Sequence, residues 1–227
     1  MISRFFLLIL ISIFTITPVL AGENFTVSTN GSRSNLEARK KLIEEILGAD
    51  SMRFGYSALS IIIDANQVEP RGKMQWHAIT LSATVNRDSE FIKLLVHEIG
   101  HYVDVYSLVS GNNGSDPSDT FYGISWQDKT TKKANETLSS FVSGYAATNK
   151  YEDFAESFTF YIFHNREFAD RALKNESLRQ KYIFFSNSVF PAGEFTDTDF
   201  RVGKIPGYLW DTTKIPISVQ KYLYSLQ

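Results

Sequence analysis

Two histidines four residues apart, with a glutamate directly after the first, are the residues of this chain whose types and spacing most plainly suit chemistry. Residues 97–101 read His97-Glu98-Ile99-Gly100-His101. On a helix this spacing is about one turn, so both imidazoles project from one face and can bind one ion. Glu98 falls on the rim of that face, where it can take a proton from a water at the ion. Four histidines in 227 residues make the pattern rare by accident; chains of this composition would contain it in roughly 0.4% of cases. The flank EFIKLLV (90–96) supplies the amphipathic helix that the pattern needs. The chain has no cysteine. That excludes thiolate zinc sites, iron–sulfur clusters, cysteine nucleophiles and disulfides, so a metal must be held by His, Asp and Glu.

A catalytic zinc needs a third protein ligand and keeps a position for water. Asp104 lies seven residues after His97, about 10 Å further along a continuous helix, too far to share an ion with both histidines. A metzincin would show a glycine break and a third histidine after the motif, and neither is present. A carboxylate from a second helix is the remaining solution. The segment YEDFAESF (151–158) offers Glu152, Asp153 and Glu156, among Phe154, Ala155, Phe158 and Phe160, which bury part of that helix. Glu152 and Glu156 share one face. One of them can bind the ion while the other accepts a hydrogen bond from a ligand histidine.

The two segments HEIGHYVD and SGYAATNKYEDFAESF together resemble gluzincin metallopeptidases of the anthrax lethal factor type. The Pro-Pro endopeptidases share the site pattern, and thermolysin-like enzymes use a similar glutamate ligand followed four residues later by an acid. The resemblance implies a zincin-like fold and one catalytic zinc ion. His97, His101 and Glu152 would be its ligands, and Glu156 an acid behind a ligand histidine. It further implies Glu98 as the catalytic base and Tyr145, seven residues before Glu152, as a hydroxyl donor to the developing oxyanion. Peptide-bond hydrolysis also follows from the resemblance, since the zinc constellation alone could serve another amide. The likeness covers about residues 88–165, and the remainder matches no motif. The large accessory domains of lethal factor have no counterpart here, so its host-cell targeting does not carry over.

These residues need elements to hold them. Residues 1–21 combine Arg4, an apolar run from Phe5, and small residues at Val19 and Ala21, the pattern of a secretory signal peptide cleaved after Ala21. An uncleaved membrane anchor is the alternative, which the shortness of the apolar run disfavours. The expectation is a secreted or periplasmic protein in which residues 22–227 form one catalytic domain, monomeric and without stable membrane association after cleavage. A net charge of −2 with 21% charged residues argues against a nucleic-acid partner, and a protein or peptide substrate is expected instead. Residues 22–34 read as a loose lead-in. Ser34 and Glu37 read as a capping box opening a helix that stops at Gly48. Strands are expected at 57–64 and 74–85 around a turn at 68–72. Asp88 should cap a helix over about Ser89–Tyr106. A loop follows at 110–119, then helices over about Lys150–Lys174 and 176–188, and an irregular tail ending in a short helix.

The fold class is therefore α+β, with a small sheet, an HExxH helix and a mainly helical C-terminal half. The strand before the motif helix is expected to pair with an extended substrate, as such edge strands do in gluzincins. Trp76 and His77 could line that cleft, but the preferred reading is a core Trp76 and a surface His77, and His164 reads as a surface residue. The Phe/Tyr-rich run 158–190 should pack helices together. The competing functional class is a non-catalytic secreted zinc-binding protein that keeps the peptidase fold.

Overall fold

The computed structural model describes residues 25–108, 116–205, 207 and 209–227. The expected signal segment and residues 110–115 of the expected loop lie outside them. The described residues form an α+β fold with one four-stranded sheet, in the order β1 (Phe25–Asn30), β2 (Leu59–Asp64), β4 (Ala78–Ser82), β3 (Gly72–Gln75). β1, β2 and β4 are parallel, and β3 runs antiparallel to β4 at the sheet edge. Ile61 and Ile63 of β2 and Ile79 and Leu81 of β4 are fully buried, the β-branched-rich pattern of central strands. The helices are α1 (Leu36–Gly48), α2 (Asp88–Tyr102), α3 (Pro117–Ser125), α4 (Lys150–Ala172), α5 (Glu176–Phe184) and α6 (Val219–Ser225). α2 runs on into a π-helical turn, Val103–Ser107. No described helix is long and apolar enough to cross a membrane.

Several elements depart from the sequence expectation. The lead-in contains β1, whose polar Ser and Thr residues are tolerated because it is an edge strand with mostly exposed side chains. The expected strand 74–85 is two strands. The chain reverses at Trp76, which has φ +57 and, at the tip of the turn, is 77% exposed rather than in the core as expected; Gln75 pairs with Ala78 across the two-residue turn. The strand leading to α2 is therefore the internal β4, and the free edge is β3. The Ser34–Glu37 capping box does not form; Asn35 precedes α1 without a side-chain cap. Asp88 lies inside the first turn of α2 and pairs with Arg39 at 3.2 Å. Arg39 is buried and also donates to the carbonyls of Ala83 and Val85, tying α1 to the approach to α2. α3 was not expected. Asp116 caps it by accepting from Ser118 N, with Pro117 at its start.

The aromatic run packs helices as expected: Phe154 and Phe158 of α4 meet Phe185, and Tyr161 stacks on Phe190 at 5.0 Å. His164, expected at the surface, is fully buried at a kink in α4 where φ is −138° and ψ 38°. A kink frees backbone groups that need other partners. Thr198 Oγ1 donates to the carbonyl of Ile162 and Phe200 N to that of Phe163. The chain from Thr198 to Phe200 is thus fastened to the kinked stretch that contains His164. Neither ring nitrogen has a hydrogen-bond partner among the described residues, and burial holds the imidazole neutral, well below the usual histidine pKa.

α2 and α4 cross at Gly100, inside the HExxH segment. A Cβ on Gly100 would stand 3.0 Å from Ala155 Cα and 3.2 Å from the Phe158 ring. Replacing it forces the helices apart, because backbone lies opposite and cannot swing away. Gly100→Val should lower unfolding free energy by about 2–3 kcal/mol and weaken metal binding with it. Equilibrium denaturation and a zinc titration on the same variant check both effects.

Candidate metal centre

His97 and His101 sit one turn apart on α2, and Glu152 faces them from the first turn of α4. Glu152 Oε2 lies 3.1 Å from His97 Nε2 and 3.4 Å from His101 Nε2. One donor atom from each of the three residues falls within 4.8 Å of the others, which is the arrangement a single cation needs. Two imidazoles with one carboxylate suit a borderline-soft divalent ion. Asn149 fixes Glu152 in place by accepting from the backbone N–H groups of Tyr151 and Glu152. That cap starts α4 so that its positive end carries the carboxylate.

Glu156, one turn further along α4, is fully buried with its Oε1 3.1 Å from His97 Nδ1. Ser143 Oγ donates to it at 2.5 Å, and Thr212 donates through both its backbone N and its Oγ1 at 2.9 Å. The separation, though not a formed hydrogen bond, is that of the carboxylate–histidine pairing that orients metal ligands. Asp153 points the other way. It forms a fully buried ion pair with Lys181 at 2.7 Å and accepts Trp126 Nε1 at 2.9 Å. Asp104 is also outside the cluster. It accepts the Tyr122 hydroxyl at 2.5 Å, and burial pushes its pKa up to about 6.

Burial alone would lower the His97 pKa, but Glu152 and Glu156 outweigh it and hold the metal-free imidazole well above its usual value. For Glu152 burial works toward protonation, and His101 and His97 outweigh it, keeping the carboxylate ionised. Glu98 is buried and is not part of the cluster. Burial raises its pKa against the opposing pull of His97 and His101. Gly72 of β3 lies against its carboxylate; a Cβ there would overlap Glu98 Oε1. Two cavities of about 240 and 490 Å³ meet at Pro70, Gly72, His97, Glu98 and Tyr145 and form one cleft across the cluster. Tyr145 enters this cleft with its ring 6.0 Å from that of His97. Burial and the Glu152 charge raise its pKa, so its hydroxyl remains a proton donor.

The segment Leu209–Ile215, read from sequence only as irregular tail, braces the whole site. Leu209 O accepts Gly144 N and Trp210 O accepts Tyr145 N, at 2.8 and 2.6 Å. Thr212 holds Glu156 as above. Lys93, fully buried on α2 one turn before His97, donates to the carbonyls of Thr212 and Ile215. Arg71 bridges Asp211 at 2.5 Å and Glu90 at 2.6 Å. The one signal available in sequence was Lys93 itself, a cation inside the apolar run FIKLLV, which needs a buried partner.

No known protein-family profile matches the chain, and no curated protein matches it.

Glu152→Ala should abolish stoichiometric zinc binding with little loss of stability. Asp153→Ala should leave the metal donors intact but strand Lys181, costing about 3–5 kcal/mol. Metal analysis and denaturant melts on both variants give the comparison; zinc loss in Asp153→Ala alone would move the ligand by one residue. Ligation also requires a neutral imidazole, so loading must expel the proton that the carboxylates hold on His97. Zinc affinity should therefore climb as pH rises, about tenfold per unit while His97 stays protonated in the metal-free protein. Calorimetric titrations in buffers of different ionisation heat measure the released proton, and a pH-independent affinity would contradict this reading.

Proposed function

We propose that this chain is an exported zinc-dependent endopeptidase of gluzincin type with a zincin-like fold. The observation that carries the reading is that His97, His101 and Glu152 converge on one side of a cleft while Glu98 and Tyr145 face the same space. A zinc ion held by the three ligands would polarise a scissile carbonyl and lower the pKa of a water toward neutrality. Glu98 would take a proton from a water in the cleft and return it to the amine nitrogen as the C–N bond breaks. Its raised pKa suits a group that must accept and then release a proton. Tyr145 donates its hydroxyl to the carbonyl oxygen as charge develops there. Glu156 fixes the tautomer and orientation of His97. The substrate lies along the β3 edge in extended form and pairs with its outward main-chain groups other than Met74 N, which donates to Glu98.

A binding protein that merely retained a structural zinc would need neither Glu98 nor Tyr145, and both are aimed at the cleft. Export to a secreted or periplasmic location completes the proposal, on the N-terminal sequence pattern. Glu98→Gln should keep one zinc per chain and lose turnover of a peptide library by at least about 100-fold. Tyr145→Phe should keep the zinc and lower kcat by about 100-fold. Wild-type rates in Glu98→Gln would remove the proposed base, and the binding-protein reading predicts no turnover in any of the three proteins.

A further inference from the structure

His97 and His101 belong to the candidate metal centre, and His77 stacks on Tyr106 at 4.1 Å. The fourth histidine of the chain, His164, takes part in neither. It is fully buried, and neither ring nitrogen meets a hydrogen-bond partner among the described residues. Its ring neighbours include Phe160 at 5.3 Å and Phe163 at 6.4 Å between centroids. Two unmet nitrogens in such a site cost stability that an apolar ring of similar size would not.

His164 is also the point at which α4 kinks, and the residues on both sides of it hold a clasp. Before it, the carbonyl of Ile162 accepts Thr198 Oγ1 at 2.8 Å and that of Phe163 accepts Phe200 N at 3.1 Å. After it, Asn165 Oδ1 accepts Asp197 N at 3.1 Å, and Arg166 N donates to the carbonyl of Thr198 at 3.2 Å. The clasp leads into the strap. Phe200 O accepts Ser218 N, and Val202 N donates to the carbonyl of Pro216, both at 2.8 Å. These bonds close the ends of the stretch that carries Leu209–Ile215, where Thr212 holds Glu156 and Trp210 O holds Tyr145 N. Thr196 and Asp197 are exposed, so the clasp lies at the surface, where local opening disturbs little of the core.

The charged groups that face His164 are cations: Lys93 from α2, Arg171 from α4 itself and Arg201 from the segment beyond Phe200. The carboxylates beside those arginines are already engaged, Glu167 with Arg171 and Arg201, and Asp199 with Arg201. α5 and α6 bring the tyrosines Tyr182 and Tyr222 to this region. A proton on His164 would therefore place a positive charge in an apolar site, among like charges, with no acceptor for either N–H. We infer that His164 is an acid-sensitive latch: its protonation opens the α4 kink, releases the 197–200 clasp and with it the strap, and so loosens the candidate site in mildly acid surroundings. Opening lets the imidazolium reach water, which removes the cost of holding it in the core. In the opened chain His164 takes its proton near the ordinary histidine value of about 6.5, whereas the closed form takes it only at lower pH. Between those values the open form binds more protons, so the closed form gains as pH rises and is lost as pH falls. The inference does not depend on the peptidase reading.

The test compares wild type with His164→Gln and His164→Phe in denaturant melts of the full chain without added metal, from about pH 7.5 to about pH 5.5. The ratio of wild-type to variant folding constants should fall about tenfold per pH unit below about pH 6.5. The opposing contribution of His97 is common to all three proteins and cancels in the ratio. Hydrogen exchange, corrected for its intrinsic pH dependence, locates the opening. At the acid end the amides of Phe200 and Val202 should exchange about tenfold faster in wild type than in either variant, while the amides of Ile61 and Ile63 in β2 stay protected. A ratio independent of pH, or exchange at Phe200 and Val202 only together with β2, would overturn the inference. Should neither variant fold, an imidazole NMR titration of wild type decides. Protonation of His164 in step with opening at Phe200 supports the latch; protonation without opening, or opening without protonation, refutes it.

Discussion

The separation of α2 and α4 at Gly100 and Ala155 governs the site, because the candidate metal donors are divided between those two helices. His97 and His101 flank Gly100 in sequence, and Glu152 and Glu156 lie one turn or less from Ala155. With no side chain on Gly100, the backbones approach until Ala155 Cα fills the space. That contact brings Glu152 Oε2 to 3.1 Å from one imidazole and 3.4 Å from the other. Close-packed backbone deforms little. The donors are thus preorganised, and the entropy of bringing them together is met by core packing rather than by the ion.

A cluster of buried charge must also be balanced, since an unpaired buried charge is far more costly than a paired one. The balance extends well beyond the donors. Glu156 answers His97 and is itself held by Ser143 and Thr212. The Leu209–Ile215 strap, which carries Thr212, is fixed by Lys93 of α2 and by Arg71 just before β3. The same strap supplies the carbonyl that seats Tyr145 N. One segment therefore couples the orientation of a ligand histidine to the position of the proposed oxyanion donor. Asp153 and Lys181 perform the analogous service on the far side of α4, pinning the helix without touching the cluster.

Local spacing made much of this legible. The one-turn separation of His97 and His101, and of Glu152 and Glu156, survives folding because a helix converts sequence interval directly into direction. The strands rich in isoleucine were legible for the same reason. What was not legible depends on contacts between distant segments. His164 reads as a surface residue because nothing local in the sequence marks the α4 kink at which it is buried. The strap is silent in sequence because its backbone carbonyls, not its side chains, carry most of its role, and backbone groups are common to every residue. The break at Trp76 escaped because the run from Met74 to Val85 has strand propensity throughout. Tertiary packing of His77 on Tyr106, rather than a turn-forming residue, accompanies the reversal.

The central claim is that two imidazoles and one carboxylate hold a single zinc ion between α2 and α4. X-ray absorption at the zinc edge of the loaded protein, with metal content measured on the same sample, tests it most directly. The account predicts one zinc per chain and a first shell of nitrogen and oxygen only at about 2.0–2.1 Å. Two imidazoles should appear in the outer-shell scattering, falling to one in His101→Ala. Substoichiometric zinc, or a spectrum unchanged by loss of His101, would contradict it.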